Sequence, residues 1–503
     1  MNEQSSRNSE SESTVSHDGS VVDQRYAGLL ASIDSAMTAG AFVDAERQLR
    51  RLVAAYPDRA AGHLKLGELL EALGQLGAAR KCAERAIELK PDGFDGYFLK
   101  GSVLIRENRF PEAVLCFNHG VQLNPLLAGC ISETLRGFRE EAVRGCESVL
   151  ARDPADFNAL LVLGRFRYLD GRAEVSAGLL ARALQLRPSD ANAAYCLSFA
   201  ELAFGRFREG WRHYEARFGT GQASFPVRGF REPQWDGTDL AGRTILLHAE
   251  QGIGDTLQFI RYAALVEQRG GRVVVECQRS VIRLVEEHAS VAQVVAQGEP
   301  LPRFDVQVPL MSLPSLFQTT LETIPNATPY LSVPKGMTVT LRARRPGRRR
   351  VGLVWAGNPG LETDLSRSIP LDQFDPVLRL GEVDFYSLQI GPAACQIDLF
   401  GYCDRIIDLQ SQLSDFARTA AAVAEMDLVL SVDTAVAHLA GALGAKVWLL
   451  LPYASEWRWL RDRLDCPWYP SMTLFRQPKP DHWSAVLTEV RNALIQKAGF
   501  DGG

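Results

Sequence analysis

A chain of 503 residues, 46% hydrophobic and 23% charged, is long enough for about two to four domains, each with its own core. Its formal net charge of −5 excludes a global attraction to nucleic acid. No apolar run reaches the ~18–20 residues that a membrane helix needs, and Val447 to Leu451 is only of strand length. The nine cysteines never form a C-x-x-C pair, which argues against a disulfide framework or a zinc knuckle and for a reducing, cytoplasmic setting.

Met1 to Ser20 is rich in Ser, Glu and Asn and has no apolar segment, so residues 1–22 are expected to form a disordered tail rather than a secretory signal. From about Tyr26 to Phe218 the chain repeats itself. Prolines close successive amphipathic segments at Pro57, Pro91, Pro125, Pro154 and Pro188, at intervals of 34, 34, 29 and 34 residues. A period of 34 is that of the tetratricopeptide repeat (TPR), a pair of antiparallel helices. Small residues recur at matching offsets: Gly67, Ala79 and Ala86, then Gly101, Ala113 and Gly120, then Gly164 and Ala183. They allow close helix approach, and proline stops the second helix. The 29-residue unit around Gly129 to Asp153 is degenerate. Repeats of this kind stack into a solenoid whose concave face binds protein segments, so residues 23–220 are expected to be a binding arm.

From Arg243 the pattern changes to short apolar strands alternating with helices, which implies parallel, doubly wound sheets with ligands at the strand carboxyl ends. In residues 221–340, strands are predicted at Thr244–His248, Val273–Glu276 and Val306–Val308, with a helix beginning near Asp255 and another at Val281–His288. Leu341–Arg350, holding six arginines around Pro346 and Gly347, reads as a solvated linker. In residues 341–503, strands are predicted at Val351–Trp355, Asp384–Leu388, Arg405–Asp408, Asp427–Ser431 and Lys446–Leu450. Helices are predicted at Ser414–Ala424 and Thr434–Leu443. A last helix, Trp483 to Lys497, is expected to close the second lobe and to pack back across both.

Three groups of residues can carry chemistry. Gly252-Ile253-Gly254-Asp255 lies between a strand and a helix, where glycines bring backbone N–H groups close to a ligand. Asp255 reads either as a helix cap or as a general base. The second group, Asp433-Thr434-Ala435 with His438, is a strand end, a loop and a helix start, the place where N–H groups and the helix dipole hold a phosphate. There Asp433 suits a helix cap or a ribose hydroxyl, and His438, one turn after Thr434, is either structural or turned toward the phosphate. The third comprises Asn358 and Arg367 near one strand end and Gln389 at another. Trp457, Arg458, Trp459, Trp468 and Tyr469 form an aromatic cluster that either stacks on a base or sugar or packs a core. There is no D-x-D triplet to hold a metal against a diphosphate, and no P-loop, G-x-S-x-G or H-E-x-x-H motif.

Together, several motifs resemble the bacterial TPR glycosyltransferases. They are His248 to Phe259, Gly352 to Pro359, Arg367 to Leu371, Ser387 to Gln389, Ser431 to Leu439, Tyr453 to Trp459 and Trp468 to Pro470. The catalytic half is similar to the heptosyltransferase-like GT-B group. This resemblance implies an α-helical TPR solenoid followed by an α/β GT-B fold of two Rossmann-like lobes. It implies metal-independent inverting transfer, with no cofactor beyond a nucleotide-sugar donor. Asp255 stands at the position of the family's base. Gly252, Gly254, Asn358, Arg367, Gln389, Asp433, Thr434, Ala435 and His438 form the implied donor site. Leu361-Glu362-Thr363-Asp364 departs from the Lys-containing stretch that relatives often carry. The implied acceptor is a protein hydroxyl presented by the repeat arm, flagellin among the possible acceptors, modified before export. Transfer to a lipid-linked or polysaccharide glycan, or a non-catalytic scaffold, are the alternatives.

Overall fold

The computed structural model describes residues 25–37, 41–107, 109–123, 140, 142–221, 228–359 and 364–497. The expected tail, the first part of the degenerate repeat and Leu361 to Thr363 lie outside the described residues. The chain divides into two compact units, Met1–Arg152 and Asp153–Gly503.

The first unit is helical: α1 (residues 25–37), α2 (Phe42–Ala55), α3 (Ala60–Ala72), α4 (Leu76–Leu89), α5 (Phe94–Arg106), α6 (Phe110–Leu123) and α7 (residues 142–152). Helices pack in sequential pairs, α3 on α4 and α5 on α6. Pro57 and Pro91 stand two residues beyond the ends of α2 and α4, where a ring without an N–H cannot continue the helix. Gly101 shows why the repeat needs small residues: a Cβ there would lie 2.9 Å from the Phe117 ring. Phe117 itself is buried with Leu104 and Ala113.

The second unit opens with two more helix pairs, α8 (Phe157–Leu169) with α9 (Ala173–Leu186) and α10 (Ala191–Ala203) with α11 (Phe207–Tyr214), followed by a 3-10 turn, Glu215–Gly219. Asp156 and Asp190 cap α8 and α10 by accepting from Ala159 N (2.7 Å) and Ala193 N (2.8 Å). The region that follows is α/β. It begins with β1 (Thr244–His248), α12 (Ile253–Phe259), α13 (Ala263–Gln268), β2 (Arg272–Cys277), α14 (Ile282–Val285), β3 (Gln293–Ala296), β4 (Val306–Pro309) and α15 (Leu313–Leu316). It continues with β5 (Arg349–Val354), α16 (Asp364–Arg367), α17 (Asp375–Leu378), β6 (Val383–Ser387), α18 (Gln396–Leu399) and β7 (Ile406–Asp408). Then come α19 (Phe416–Ala424), β8 (Leu428–Val432), α20 (Ala435–Ala442), β9 (Val447–Leu451), β10 (Met472–Arg476) and α21 (Trp483–Lys497).

Among the described residues the strands form two parallel sheets, ordered β3-β2-β1-β4 and β10-β9-β8-β5-β6-β7. In each, strand order reverses beside the first strand, between β1 and β4 and between β5 and β8. Crevices at such reversals, outside the carboxyl ends, are where open parallel sheets take ligands.

Four sequence expectations need correction. The helix expected over Val281–His288 is a 3-10 turn, Arg279–Val281, followed by the four-residue α14. Strands β3 and β10 lie outside the predicted strands. The closing helix does not pack across both lobes: Trp483, Val486, Leu487, Val490 and Leu494 of α21 join the core of the second sheet. Finally, the arginine run is not merely solvated. Arg345 and Arg348 both pair with Asp384, Arg344 pairs with Asp427, and Arg350 pairs with Glu425. Burial opposes the charge on Asp384, but the two arginines outweigh it and lower its pKa. These pairs pin the start of β5 to its neighbours, at the sheet end opposite the crevice.

The repeat end and the sheets share one core. Phe207, Trp211 and Tyr214 of α11 are almost fully buried with Phe259, Trp457 and Trp468. Trp211 meets Trp457 edge-on at 5.1 Å, and Phe207 stacks on Trp468 at 5.9 Å. Below them Arg217, with no exposed side-chain area, donates to Glu250 Oε1 (2.8 Å) and Oε2, to Glu215 Oε1 (2.7 Å), to Ser312 Oγ (2.7 Å) and to the Tyr214 carbonyl. Burial opposes this charge, yet Glu250 and Glu215 more than offset it and the arginine pKa is raised. The described cysteines are free thiols. Among the described residues no helix is long and apolar enough to cross a membrane.

Removing one partner of a buried ion pair leaves the other charge uncompensated and costs about 3–5 kcal/mol. Arg217→Met is expected to lower unfolding free energy in urea by about that amount, with Arg217→Met/Glu250→Gln less damaging than the sum of the single changes. For the same reason a chain beginning at Asp153 is expected to unfold cooperatively, and one beginning at Gly221, which lacks Arg217 and Trp211, to lose that transition in tryptophan fluorescence.

Candidate functional site

The two sheets meet through the helices that follow β1 and β8. Helix α12 packs against α20, and the contact is close at Gly254, where a Cβ would lie 3.0 Å from His438 Cδ2 and 3.7 Å from the Ala435 Cα. A side chain there would press on the His438 ring. The Gly252-to-Asp255 turn and the Asp433-to-Ala435 turn, far apart in the chain, are thereby brought together, and both are partly exposed.

The turn after β1 is held from several sides. Gln251 exchanges hydrogen bonds with the Tyr214 hydroxyl (2.8 and 3.2 Å), and Gln278 Nε2 donates to the Gln251 carbonyl (2.9 Å). Helix α12 starts at Ile253, two residues earlier than expected, which places Asp255 in its first turn rather than at its cap. Asp255 Oδ2 accepts from Gly252 N at 2.9 Å, closing the chain into the helix. Its other oxygen, Oδ1, accepts from Arg458 Nη2 in an ion pair that spans the two sheets.

Arg458 is a fork. Besides Asp255 it bonds Glu456 through Nη1 and the Gln258 side chain through Nε (2.7 Å), and it lies 4.2 Å from the Trp457 ring centroid. Burial opposes its charge, but Glu456 and Asp255 prevail and its pKa is raised. Glu456 keeps 34% of its side chain exposed. Its carboxyl is pushed up to about 7 by burial, with Asp433 and Asp255 adding to the shift and Arg458 opposing it. Glu456 lies within the Tyr453-to-Trp459 motif, five residues beyond the end of β9, and is not singled out by the sequence.

Around the second sheet, Thr434 is the residue before α20, and its hydroxyl lies 3.2 Å from Ser431 Oγ. The first N–H groups of α20, at Ala435 and Val436, have no intrahelical acceptor, as at any helix start. Asp433 does not cap this helix; its Oδ2 accepts from Trp459 Nε1 at 2.8 Å. His438 is buried, stacked on Trp459 at 5.2 Å and paired through Nδ1 with the Tyr469 hydroxyl (3.0 Å). Burial, then the charges of Arg458, Arg261 and Arg367, hold its pKa well below 6.5, so it is neutral. Arg367 pairs through Nε with Asp364 Oδ1 at 3.1 Å. Asn358 is exposed in the loop after β5.

Gln389, an expected site residue, and the neighbouring carboxylate Glu250 both serve the scaffold. The Gln389 amide accepts from Trp355 N and Ala356 N and donates to the Ala356 and Ile390 carbonyls, at 3.0 to 3.1 Å, which uses its hydrogen-bonding capacity on the β5 loop. Glu250, otherwise the next carboxylate to consider as a base, is consumed by Arg217. The aromatic cluster is also resolved: Trp457, Trp459, Trp468 and Tyr469 are fully buried and pack the core.

Comparison with known proteins agrees with the repeats. The family model "Tetratricopeptide repeat" matches residues 30–92, 64–125 and 136–191. Protein FlbA of Caulobacter vibrioides is 27% identical over 498 residues, spanning 90% of this chain and 82% of its own length. Among solved structures, MamA from Desulfovibrio magneticus RS-1 is 18% identical, covering 39% of this chain and 92% of its own, with a TM-score of 0.18. A thermophilic TPR protein of Thermus thermophilus is 17% identical, covering 39% of this chain and 91% of its own, with a TM-score of 0.18. The N-terminal part of the chain therefore carries tetratricopeptide repeats, and a C-terminal region of parallel sheets follows.

A histidine held neutral in the folded state but free to protonate near pH 6.5 when unfolded contributes stability that is present above pH 6.5 and lost as the pH falls. Below pH 6.5 the protein is expected to lose about 1.4 kcal/mol more per pH unit than its His438→Gln variant. Urea unfolding at pH 7, 6 and 5.5 measures the two slopes, and parallel slopes would show that His438 is not held neutral.

Proposed function

We propose that this protein is a glycosyltransferase of GT-B type, moving a sugar from a nucleotide-sugar donor to a protein hydroxyl by metal-independent inversion. The observation that carries the reading is the meeting of α12 and α20. A turn rich in glycine and carboxylate from one parallel sheet faces a helix start and Arg367 beside the strand reversal of the other. A diphosphate fits the second side, where N–H groups of Ala435 and Val436, the Thr434 hydroxyl and Arg367 supply donors and positive potential. A proton acceptor fits the first side, where Asp255 and Glu456 share Arg458.

The repeat end supports a protein acceptor. Tyr214, from the last repeat helix, bonds Gln251 next to Gly252, so a segment guided along the second unit's repeats arrives where the carboxylates stand. Positioning of this kind converts a bimolecular encounter into an intramolecular one. Flagellin is the acceptor that the family resemblance favours.

Intact-mass measurement of secreted proteins from cells with and without the gene tests the reading directly. Sugar-sized mass increments on serine or threonine that vanish without the gene are expected, unchanged by EDTA in the purified reaction. Thr434→Ala is expected to weaken nucleotide binding about tenfold by calorimetry without moving the unfolding midpoint, since removing a hydrogen bond to a charged group costs roughly 1.5 kcal/mol. A chain beginning at Asp153 should still turn over donor but modify the protein acceptor slowly. If no secreted or cytoplasmic protein changes mass and no nucleotide binds, the chain is a scaffold.

A further inference from the structure

Two carboxylates reach one guanidinium at the crevice, and they are not equivalent. Asp255 commits both oxygens, Oδ2 to Gly252 N and Oδ1 to Arg458, and its side chain is 20% exposed. Glu456 bonds Arg458 through Oε1, and its Oε2 has no protein donor among the described residues. The fork between them is rigid, because Arg458 is also tied to Gln258 and seated on Trp457. Protonating Asp255 would weaken one of its two hydrogen bonds, to Arg458 or to Gly252 N, and loosen the first turn of α12. Protonating Glu456 at Oε2 removes a charge from beside Arg458 but leaves the Oε1 hydrogen bond to Arg458 in place.

We propose that Glu456 takes the proton from the acceptor hydroxyl, while Asp255 stays ionised and holds Arg458 and the start of α12 in place. This rests on the glycosyl-transfer reading above. The hydroxyl proton passes to Glu456 Oε2, and the oxygen's electron pair forms the bond to the anomeric carbon. The bond from that carbon to the donor's phosphate oxygen breaks, and its electrons leave with the nucleotide, a diphosphate from UDP or GDP donors and a monophosphate from CMP donors.

The surroundings of Glu456 suit the role. The groups that face it are Arg458 on its own loop, Asp433 after β8, Asp255 on α12 and Tyr168 on α8. Burial and the two aspartates outweigh Arg458 and bring the carboxyl to about 7. A base works best with a pKa near the operating pH, and carboxylates whose environments set their pKa values apart divide the acid and base roles.

The test uses the full-length protein, UDP-, GDP- and CMP-linked sugars as donors, and secreted proteins from cells lacking the gene as acceptors. Glu456→Gln is expected to lower the rate of mass shift about 10²–10⁴-fold, to leave calorimetric affinity for UDP, GDP and CMP within about twofold, and to abolish an acid limb near pH 7. Glu456→Asp should restore part of the rate. Carbon-13 NMR of glutamate carboxyls should show one group titrating near pH 7 that is missing in Glu456→Gln. If Glu456→Gln keeps the wild-type rate and acid limb while Asp255→Asn loses them, transfer stands and Asp255 is the base. Absence of the NMR titration also overturns the proposal. If the wild-type protein transfers no sugar at all, glycosyl transfer itself fails and the assignment falls with it.

Discussion

Arg217 is the constraint on which the second unit depends. A guanidinium has five N–H donors and cannot give up its charge, so complete burial is tolerable only if all five are met. Here Glu250, Glu215, Ser312 and the Tyr214 carbonyl meet them, and the ring of Phe218 lies 4.1 Å from the guanidinium carbon. Two of those partners follow β1 and β4, the strands between which the first sheet's order reverses. The place where that sheet would offer a ligand crevice is therefore occupied by a side chain from the repeats. What stays open is the gap toward the second sheet, and the candidate site forms there.

The same joint ties the repeat end to the candidate site. The 3-10 turn that carries Arg217 follows α11, whose Tyr214 holds Gln251. Gln278 and Gln297 then fix two carbonyls of the loop, at Gln251 and Ala249. A loop held at these points presents Gly252 and Asp255 in one arrangement. Arg458 of the second sheet reaches across to Asp255, and Arg261 of the first reaches back, donating to the Trp468 carbonyl at 2.7 Å. Buried arginines thus join the repeats to the first sheet and the first sheet to the second. Each is oriented by aromatic faces that also form the shared core.

Electrostatics at the crevice follows from this crossing. Three arginines around His438 help to keep it neutral, and it packs between Trp459 and Tyr469 as a polar aromatic rather than as an ionisable group. The positive charge that would meet a diphosphate comes instead from Arg367 and the start of α20. The carboxylates divide according to how many of their oxygens are already bonded, which sets Asp255 apart from Glu456.

The sequence by itself determined what local rules govern. Prolines at 34-residue spacing stop helices because a missing N–H acts on its own turn, and each described one stands two residues past a helix end. Apolar runs marked most strands, and the Gly252 and Thr434 turns were legible because glycine and short polar residues leave a strand in few ways. Strands β3 and β10 are not marked by a clean apolar run, since Gln293 opens the first and Thr473 and Arg476 interrupt the second. Only the tertiary structure decided which charges meet: Arg217 and Glu250 are 33 residues apart, Arg458 and Asp255 203. Whether Trp457 stacks on a ligand or fills a core, and whether Gln389 faces a donor or holds a loop, was settled in the same way. Periodicity and turn chemistry act over a few residues, whereas burial, which sets the cost of a charge and the choice of its partner, belongs to the assembled fold.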